Sequence, residues 1–160
     1  MSSNVDWTGW ADFAEASPLL AADVRLLFEQ YGRGFGYLAT VRRDGGPRVH
    51  PVAPVITEGG LYVFLLGSPK RDDLVRDGRY ALHAYPPEHS DDEAYLSGHA
   101  RPITDERRRD RVARIHRASP DVDWQLFEFA VEVAMVTHRQ ARTNEPRHRI
   151  WRADGRAVRR

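Results

Sequence analysis

Apolar residues recur at helical spacing in one early stretch of the chain and form short runs through most of the rest. The helical stretch begins at Ser17-Pro18, a pair typical of an N-cap and a first helical position. Its apolar stripe consists of Leu20, Val24, Leu27, Phe28 and Tyr31. Glycines at alternate positions then end the helix and permit entry into a strand: Gly32, Gly34 and Gly36.

The short apolar runs are bounded by turn residues and predict a β-rich remainder. Asp44-Gly45 indicates a hairpin because Asp-Gly readily takes the positive φ that such turns need, and Glu58-Gly59-Gly60 indicates a second hairpin. Pro51 and Pro54 each remove a hydrogen-bond donor, so their strand lies at an edge or carries a bulge. We expect strands at 37–41, 48–56, 61–66, 80–85, 94–103, 131–138 and 149–152.

Shorter helical patterns lie between these strands. A short helix is expected at 72–76, an arginine-rich helix capped by Thr104 is expected to reach about Arg117, and residues 125–130 resemble a short helical turn. The fold class is therefore mainly β (α+β), an antiparallel barrel with peripheral helices. We expect an N-terminal arm at 1–16, a barrel domain at 17–154 and a flexible tail at 155–160.

Composition narrows the class of protein. The chain has 160 residues, of which 41% are apolar and 29% charged, as in one soluble domain with a substantial core. A net charge of +1 argues against a globally basic nucleic-acid binder. Residues 1–100 hold 9 Lys and Arg against 14 Asp and Glu, whereas residues 101–160 hold 15 against 9. The basic second part is either an interaction surface or a solvated arginine-rich face.

Several kinds of chemistry and location are disfavoured. The chain has no cysteine, which excludes disulfides, thiolate catalysis and zinc–thiolate sites. No apolar run approaches the roughly 20 residues of a membrane span, and the N-terminus lacks the regions of a secretory signal. We therefore expect a cytoplasmic protein without a membrane partner. Nucleophile-elbow, H-E-x-x-H, Walker and Rossmann signatures are missing from the sequence.

The only lysine lies in the most informative stretch. The predicted strand at 61–66 runs directly into Gly67-Ser68-Pro69-Lys70-Arg71. A small residue, a hydroxyl and two adjacent cations after a strand suit a phosphate group, and a following helical turn adds a favourable dipole. The alternative is a solvated basic turn, because short basic turns are common.

A second candidate lies in the broken strand. In His50-Pro51-Val52, a histidine precedes a proline, an arrangement that exposes the backbone and directs the ring at a groove. The alternative is an edge-strand histidine without a ligand.

Taken in order, these segments resemble the pyridoxamine 5′-phosphate oxidase-like flavin-binding split barrels. The resemblance covers about residues 35–104 with constant order and spacing, and extends more weakly to Trp151. It rests on Ala39-Thr40-Val41, Asp44-Gly45, Pro47, His50-Pro51-Val52, Leu61-Tyr62-Val63-Phe64, Gly67-Ser68, Lys70, Leu74, Asp77, Arg79, Gly98 and Ala100.

The resemblance implies a six-stranded split barrel that forms a homodimer, with FMN in grooves between the subunits. The flavin phosphate would be held by Ser68-Pro69-Lys70, with Pro69 in place of a family arginine and Arg71 as a substitute cation. A second family arginine falls near His50. Glu93 falls near a glutamine that the partner chain contributes.

The cofactor site that the resemblance implies includes residues from the predicted strands at 48–56 and 61–66 and from the segment around Lys70. Glu93 and Trp151 complete it. Its expected members are His50, Pro51, Val52, Phe64, Leu65, Ser68, Pro69, Lys70, Arg71, Leu74, Glu93 and Trp151.

The first functional hypothesis is an FMN-dependent oxidoreductase acting on a small-molecule substrate. The first alternative is a deazaflavin cofactor on the same fold, since the arginine-rich helix at 107–117 suits a longer anionic tail. The second alternative is a flavin-binding or nucleic-acid-associated module without turnover, although nucleic acid is not the favoured partner. True pyridoxamine 5′-phosphate oxidase activity is not expected, because the family's C-terminal substrate segment is not recognisable.

Overall fold

The computed structural model describes residues 7–140 and 142–155, which form four helices and nine strands. The helices are α1 (Trp10–Ala16), α2 (Pro18–Glu29), α3 (Pro69–Arg76) and α4 (Glu106–Ile115). The strands are β1 (Gly36–Val41), β2 (Pro47–Val52), β3 (Val55–Ile56), β4 (Leu61–Leu66), β5 (Arg79–Ala84), β6 (Glu93–Pro102), β7 (Trp124–Phe129), β8 (Val133–Arg139) and β9 (Pro146–Arg152). Within this part of the chain, no helix combines the length and hydropathy that crossing a membrane requires.

All strand pairs are antiparallel, and the strands follow the order β2-β1-β5-β6-β7-β4-β3, with β8 beside β6 and β9 beside β8. β2 and β3 stand at opposite ends of this order although only Ala53 and Pro54 separate them in sequence. The sheet therefore curls into a barrel that is split between β2 and β3.

β6 belongs to both halves of the barrel. Its first residues pair with β8, whereas Ala100, Arg101 and Pro102 pair with β7. The change of partner occurs at Gly98, where an added Cβ would lie 2.5 Å from the Ala130 carbonyl oxygen. Only glycine allows β6 to approach the connection between β7 and β8 this closely.

The main core fills the barrel and continues beneath the first two helices. Leu38, Leu82 and Leu96 are fully buried on the inward face of their strands. α1 and α2 add Phe13, Val24 and Phe28 to the same core, with no exposed surface on these side chains. The arm expected at 1–16 thus includes a helix that packs on the barrel, and residues 1–6 lie outside the described part.

A second, smaller core lies on the outer face of β4 and β7. Tyr62, Leu126 and Val112 form it, and α4 covers it. Glu128 is buried there with Arg101 and Arg108 hydrogen-bonded to its carboxylate.

The predicted hairpins are confirmed, and so are the helix beginning at Pro18 and the strands at 37–41 and 61–66. The predicted strand at 48–56 is two strands, because its prolines break the ladder and β3 pairs with β4 rather than β1. Together with β7, this break explains why the sheet has nine strands where the sequence predicted seven, and the resemblance implied six.

Three helix predictions need correction. The helical turn expected at 125–130 is strand β7, whose two faces are both buried, so that no alternation marks it as a strand. The cap of α4 is Asp105, whose carboxylate accepts a hydrogen bond from the Arg108 amide at 2.7 Å, rather than Thr104. The helix expected at 72–76 begins earlier, at Pro69, because Ser68 and Pro69 take the N-cap and first helical positions.

Candidate functional site

Ser68, Pro69 and Lys70 lie where β4 turns into α3. The backbone of Ser68 is extended, and its carbonyl oxygen accepts hydrogen bonds from the amides of Arg71 at 3.0 Å and Asp72 at 3.2 Å. The Ser68 hydroxyl donates to the Leu66 carbonyl oxygen at 2.9 Å. Lys70 is thereby held in the first turn of α3, where the helix dipole favours an anion.

The two cations of this segment differ in whether they have an ion-pair partner. The Arg71 guanidinium donates to the Asp123 carboxylate, with Nη1 and Oδ2 separated by 3.3 Å. Lys70 is half-buried and forms no ion pair or hydrogen bond within residues 7–140 and 142–155. Lys70 is therefore the cation that is free to meet an incoming anion.

α3 is fastened to the barrel by a buried carboxylate that the sequence did not single out. Asp73 is 3% exposed and accepts hydrogen bonds from Thr40 Oγ1 at 2.9 Å, Arg48 Nε at 2.7 Å and Arg76 Nη2 at 3.2 Å. Burial alone would raise the pKa of Asp73, but these three hydrogen bonds more than offset it and hold the pKa below its usual value. The contacts fix the helix, and with it Lys70, against β1 and β2.

The broken strand delivers its residues to two faces. His50 and Val52 share the inward face of β2 with Arg48, whereas Pro51 lies exposed on the outward face, opposite Tyr37. A β2 cation is thus present, but it is Arg48, two residues before His50, and Asp73 already neutralises it. Alternation along a strand was the signal that could have linked Arg48 to His50.

The pair expected to line a flavin, Phe64 and Leu65, is divided between the two faces of β4. The Leu65 side chain is buried in the main core, as is that of Leu74 on α3. Phe64 is half-buried on the outer face and packs edge-to-face on Trp124, with 5.0 Å between the ring centroids. Of the two residues on β4, only Phe64 can offer its side chain to a ligand on that outer face.

Glu93 and Trp151 do not join the others within one chain. Glu93 opens β6 opposite Thr137, and Trp151 lies on β9, where its ring is 4.9 Å from that of Phe13. In the sheet order, β1 and β5 separate these strands from β2.

Two cavities border the candidate site. A polar cleft of about 500 Å³ lies beside Pro69 and Asp73, with Arg42, Arg43 and Arg48 on its walls. A groove of about 310 Å³ opens at the split between β2 and β3, with Phe64 on its floor. The groove also includes Glu29, Arg33 and His116, which the sequence analysis missed because their segments are far apart in the chain.

No family model and no curated protein matches the sequence. Among solved structures, PhzG from Burkholderia lata 383, in complex with tetrahydrophenazine-1-carboxylic acid, is similar with a TM-score of 0.67 and 16% identity over 91% of each chain. A Clostridium acetobutylicum protein related to general stress protein 26, of the pyridoxinephosphate oxidase family, has a TM-score of 0.59 and 12% identity over 82% of this chain and 97% of its own.

A third similar structure is the heme binding protein from Mycobacterium smegmatis, with a TM-score of 0.56 and 17% identity. The match covers 80% of this chain but only 57% of that protein's length. At such identities the likeness speaks for the fold, and it agrees with the strand order and the split between β2 and β3. The chain has the split-barrel fold of the pyridoxamine 5′-phosphate oxidase-like structures.

Proposed function

We propose that the chain binds FMN at the β4–α3 junction and serves as a flavin-dependent oxidoreductase. The observation that carries the proposal is Lys70, an unpaired cation in the first turn of a helix that follows directly on a strand. The Lys70 amide, at the second position of α3, adds a backbone hydrogen-bond donor for a phosphate. The Ser68 hydroxyl donates to the Leu66 carbonyl oxygen and would have to rotate to reach the ligand. The donor set fits a phosphate, with Lys70 as its principal positive charge.

The neighbouring elements supply what a flavin ring needs. Such a ring requires an apolar surface and a few donors at its edge. Phe64 offers the apolar surface, and the break at Ala53 and Pro54 leaves backbone outside the strand ladder. When bound, FMN supplies the electron transfer, and the residues of this chain hold and orient it.

The outward face of the sheet supports a second copy as partner. Two cross-strand rows cross six strands there: Pro51, Tyr37, His83, Tyr95, Met135 and Ile150 form one, and Val49, Ala39, Ala81, Ser97, Val133 and Arg152 form the other. Only Arg152 is a Lys, Arg, Asp or Glu. The solvent-facing side of an antiparallel sheet is ordinarily polar. A face with so few charged residues favours burial against another protein surface, such as a second copy of this chain.

A deazaflavin is the second candidate, and α4 favours it. Arg107, Arg111 and Arg114 are exposed at positions i, i+4 and i+7, on one side of the helix, and among the described residues they have no ion-pair partner. A cofactor with a longer anionic tail would use this stripe, whereas FMN would not.

The test is FMN binding to the purified protein, monitored by the absorbance at about 375 and 450 nm that any flavin shows. We expect Lys70→Ala to weaken FMN binding by about tenfold or more, because a charge-assisted hydrogen bond contributes about 1.5–3 kcal/mol.

Arg111→Ala is the matched control, since it removes an exposed helical cation away from α3. FMN affinity should not change in that variant, whereas deazaflavin affinity should fall if the second candidate is correct. Unchanged FMN affinity in Lys70→Ala would remove the phosphate site.

A further inference from the structure

The groove at the split of the barrel is assembled from four separate segments. The end of α2 and the turn after it provide Glu29 and Arg33, the β2–β3 break provides Pro54 and Val55, β4 provides Phe64, and the residue after α4 provides His116. Its volume of about 310 Å³ is at the lower end of the range for small-molecule sites. No residue of the predicted site except Phe64 lines it.

Most residues that line the groove are apolar or glycine, and close contacts hold two of them in place. Trp124 supports Phe64 from one side, and the Phe64 and His116 rings lie 6.5 Å apart between centroids. Gly34 packs against Pro54 so closely that an added Cβ would lie 1.8 Å from the Pro54 carbonyl oxygen. An apolar lining that includes the Phe64 ring suits a planar aromatic ring.

The lining of the groove includes one cation, Arg33, that has no ion-pair partner among the described residues. Glu29 is already paired with Arg25, with 3.0 Å between Oε2 and Nε. Arg33 follows the turn at Gly32, whose φ of +89° takes the chain out of the helix before Arg33 could pair with Glu29. Within residues 7–140 and 142–155, Arg33 has no ion pair or hydrogen bond, so its guanidinium can receive a carboxylate bidentately.

His116 adds an imidazole, a hydrogen-bonding group, to the lining of the groove. Burial lowers the pKa of His116, and the nearby Glu29 carboxylate only partly offsets this effect. A neutral imidazole presents one donor and one acceptor, which suits a hydroxyl rather than a second carboxylate.

We propose that this groove binds a planar aromatic carboxylate, with the ring on Phe64, the carboxylate on Arg33 and a hydroxyl substituent on His116. The proposal that the compound binds depends only on the residues that line the groove. The role of such a compound as the oxidoreductase substrate rests on the proposed function, because Phe64 would then border both the flavin and the compound.

Equilibrium dialysis of 2-naphthoate against the purified full chain tests the carboxylate contact. We expect saturable binding that weakens by about tenfold or more in Arg33→Gln, since a charge-assisted hydrogen bond is lost. Arg43→Gln is the matched control, because Arg43 is exposed and outside the groove. The uncharged analogue 2-naphthylmethanol should bind the wild-type chain as weakly as 2-naphthoate binds Arg33→Gln.

The hydroxyl contact is tested with 6-hydroxy-2-naphthoate, which should bind several-fold more tightly than 2-naphthoate. His116→Phe keeps a flat ring and should abolish this preference. Lys70→Ala should leave naphthoate binding unchanged, so that failure of the flavin proposal and failure of this one are told apart. The groove proposal is overturned by the lack of saturable 2-naphthoate binding, by equal binding to wild type and Arg33→Gln, or by a hydroxyl preference that survives His116→Phe.

Discussion

Asp73 shows how one residue links stability to the candidate site. Its carboxylate is nearly inaccessible to solvent and is held by two arginines and a threonine from three elements. Removing the charge from such a group leaves Arg48 and Arg76 without their partner. Because both arginines are partly exposed and can turn to water, the cost is below that of a fully buried pair.

We predict that Asp73→Asn lowers the free energy of unfolding by about 2–3 kcal/mol at pH 7, as measured by urea denaturation. The folded pKa of Asp73 is depressed, so its contribution is present above the unfolded pKa and is lost as pH falls through the lower folded value. The difference between wild type and Asp73→Asn should therefore shrink as the pH is lowered below about 4. Asp72→Asn, an exposed neighbour on the same helix, should cost little at either pH. A constant difference down to pH 2 would contradict the assignment.

At the scale of elements, the sequence correctly predicted those turns and helices whose structure depends on neighbouring residues in the chain. Asp44-Gly45 gave the first hairpin because Gly45 has a φ of +84° and the Asp44 carboxylate accepts a hydrogen bond from the Gly46 amide. β7 was missed since both its faces are buried, and the opposite orientations of Phe64 and Leu65 were hidden in a continuous apolar run. His116 and Arg33 reach the groove only through packing of distant elements, which no local pattern records.

The contact between Gly34 and Pro54 is an element-scale feature that can be tested. It joins the turn after α2 to the β2–β3 break, and the obstructing atom is a backbone carbonyl oxygen that cannot move alone. We predict that Gly34→Ala destabilises the fold by about 1–3 kcal/mol, measured by thermal unfolding, because the two segments must separate. Gly59→Ala, where the nearest atom to an added Cβ lies at 3.9 Å, is the control and should unfold like wild type. Equal melting of both variants would show that the two segments yield freely.

At the scale of the whole molecule, the sheet has one face that suits pairing of two copies of the chain. The inward face of the sheet holds the core, whereas the outward face presents two nearly uncharged rows across six strands. Glu93 lies on this outward side of β6, in line with Tyr95. Pairing of two such faces would bury the rows of both copies.

We therefore predict a dimer in solution whose integrity depends on Ala39, a half-buried residue between Val49 and Ala81 in the second row. Ala39→Glu places a charge where a partner surface would have to desolvate it, which disfavours the dimer. Light scattering after gel filtration should then give the mass of a monomer. The far-ultraviolet circular dichroism should match that of the wild type, which shows that the variant is folded. Ala11→Glu makes the same change at an exposed position of α1 and should leave the dimer intact. If the second copy contributes residues to the proposed FMN site, FMN affinity should fall together with dimerisation in Ala39→Glu. A monomeric wild type, or an Ala39→Glu variant that remains dimeric, would show that this face does not join two chains.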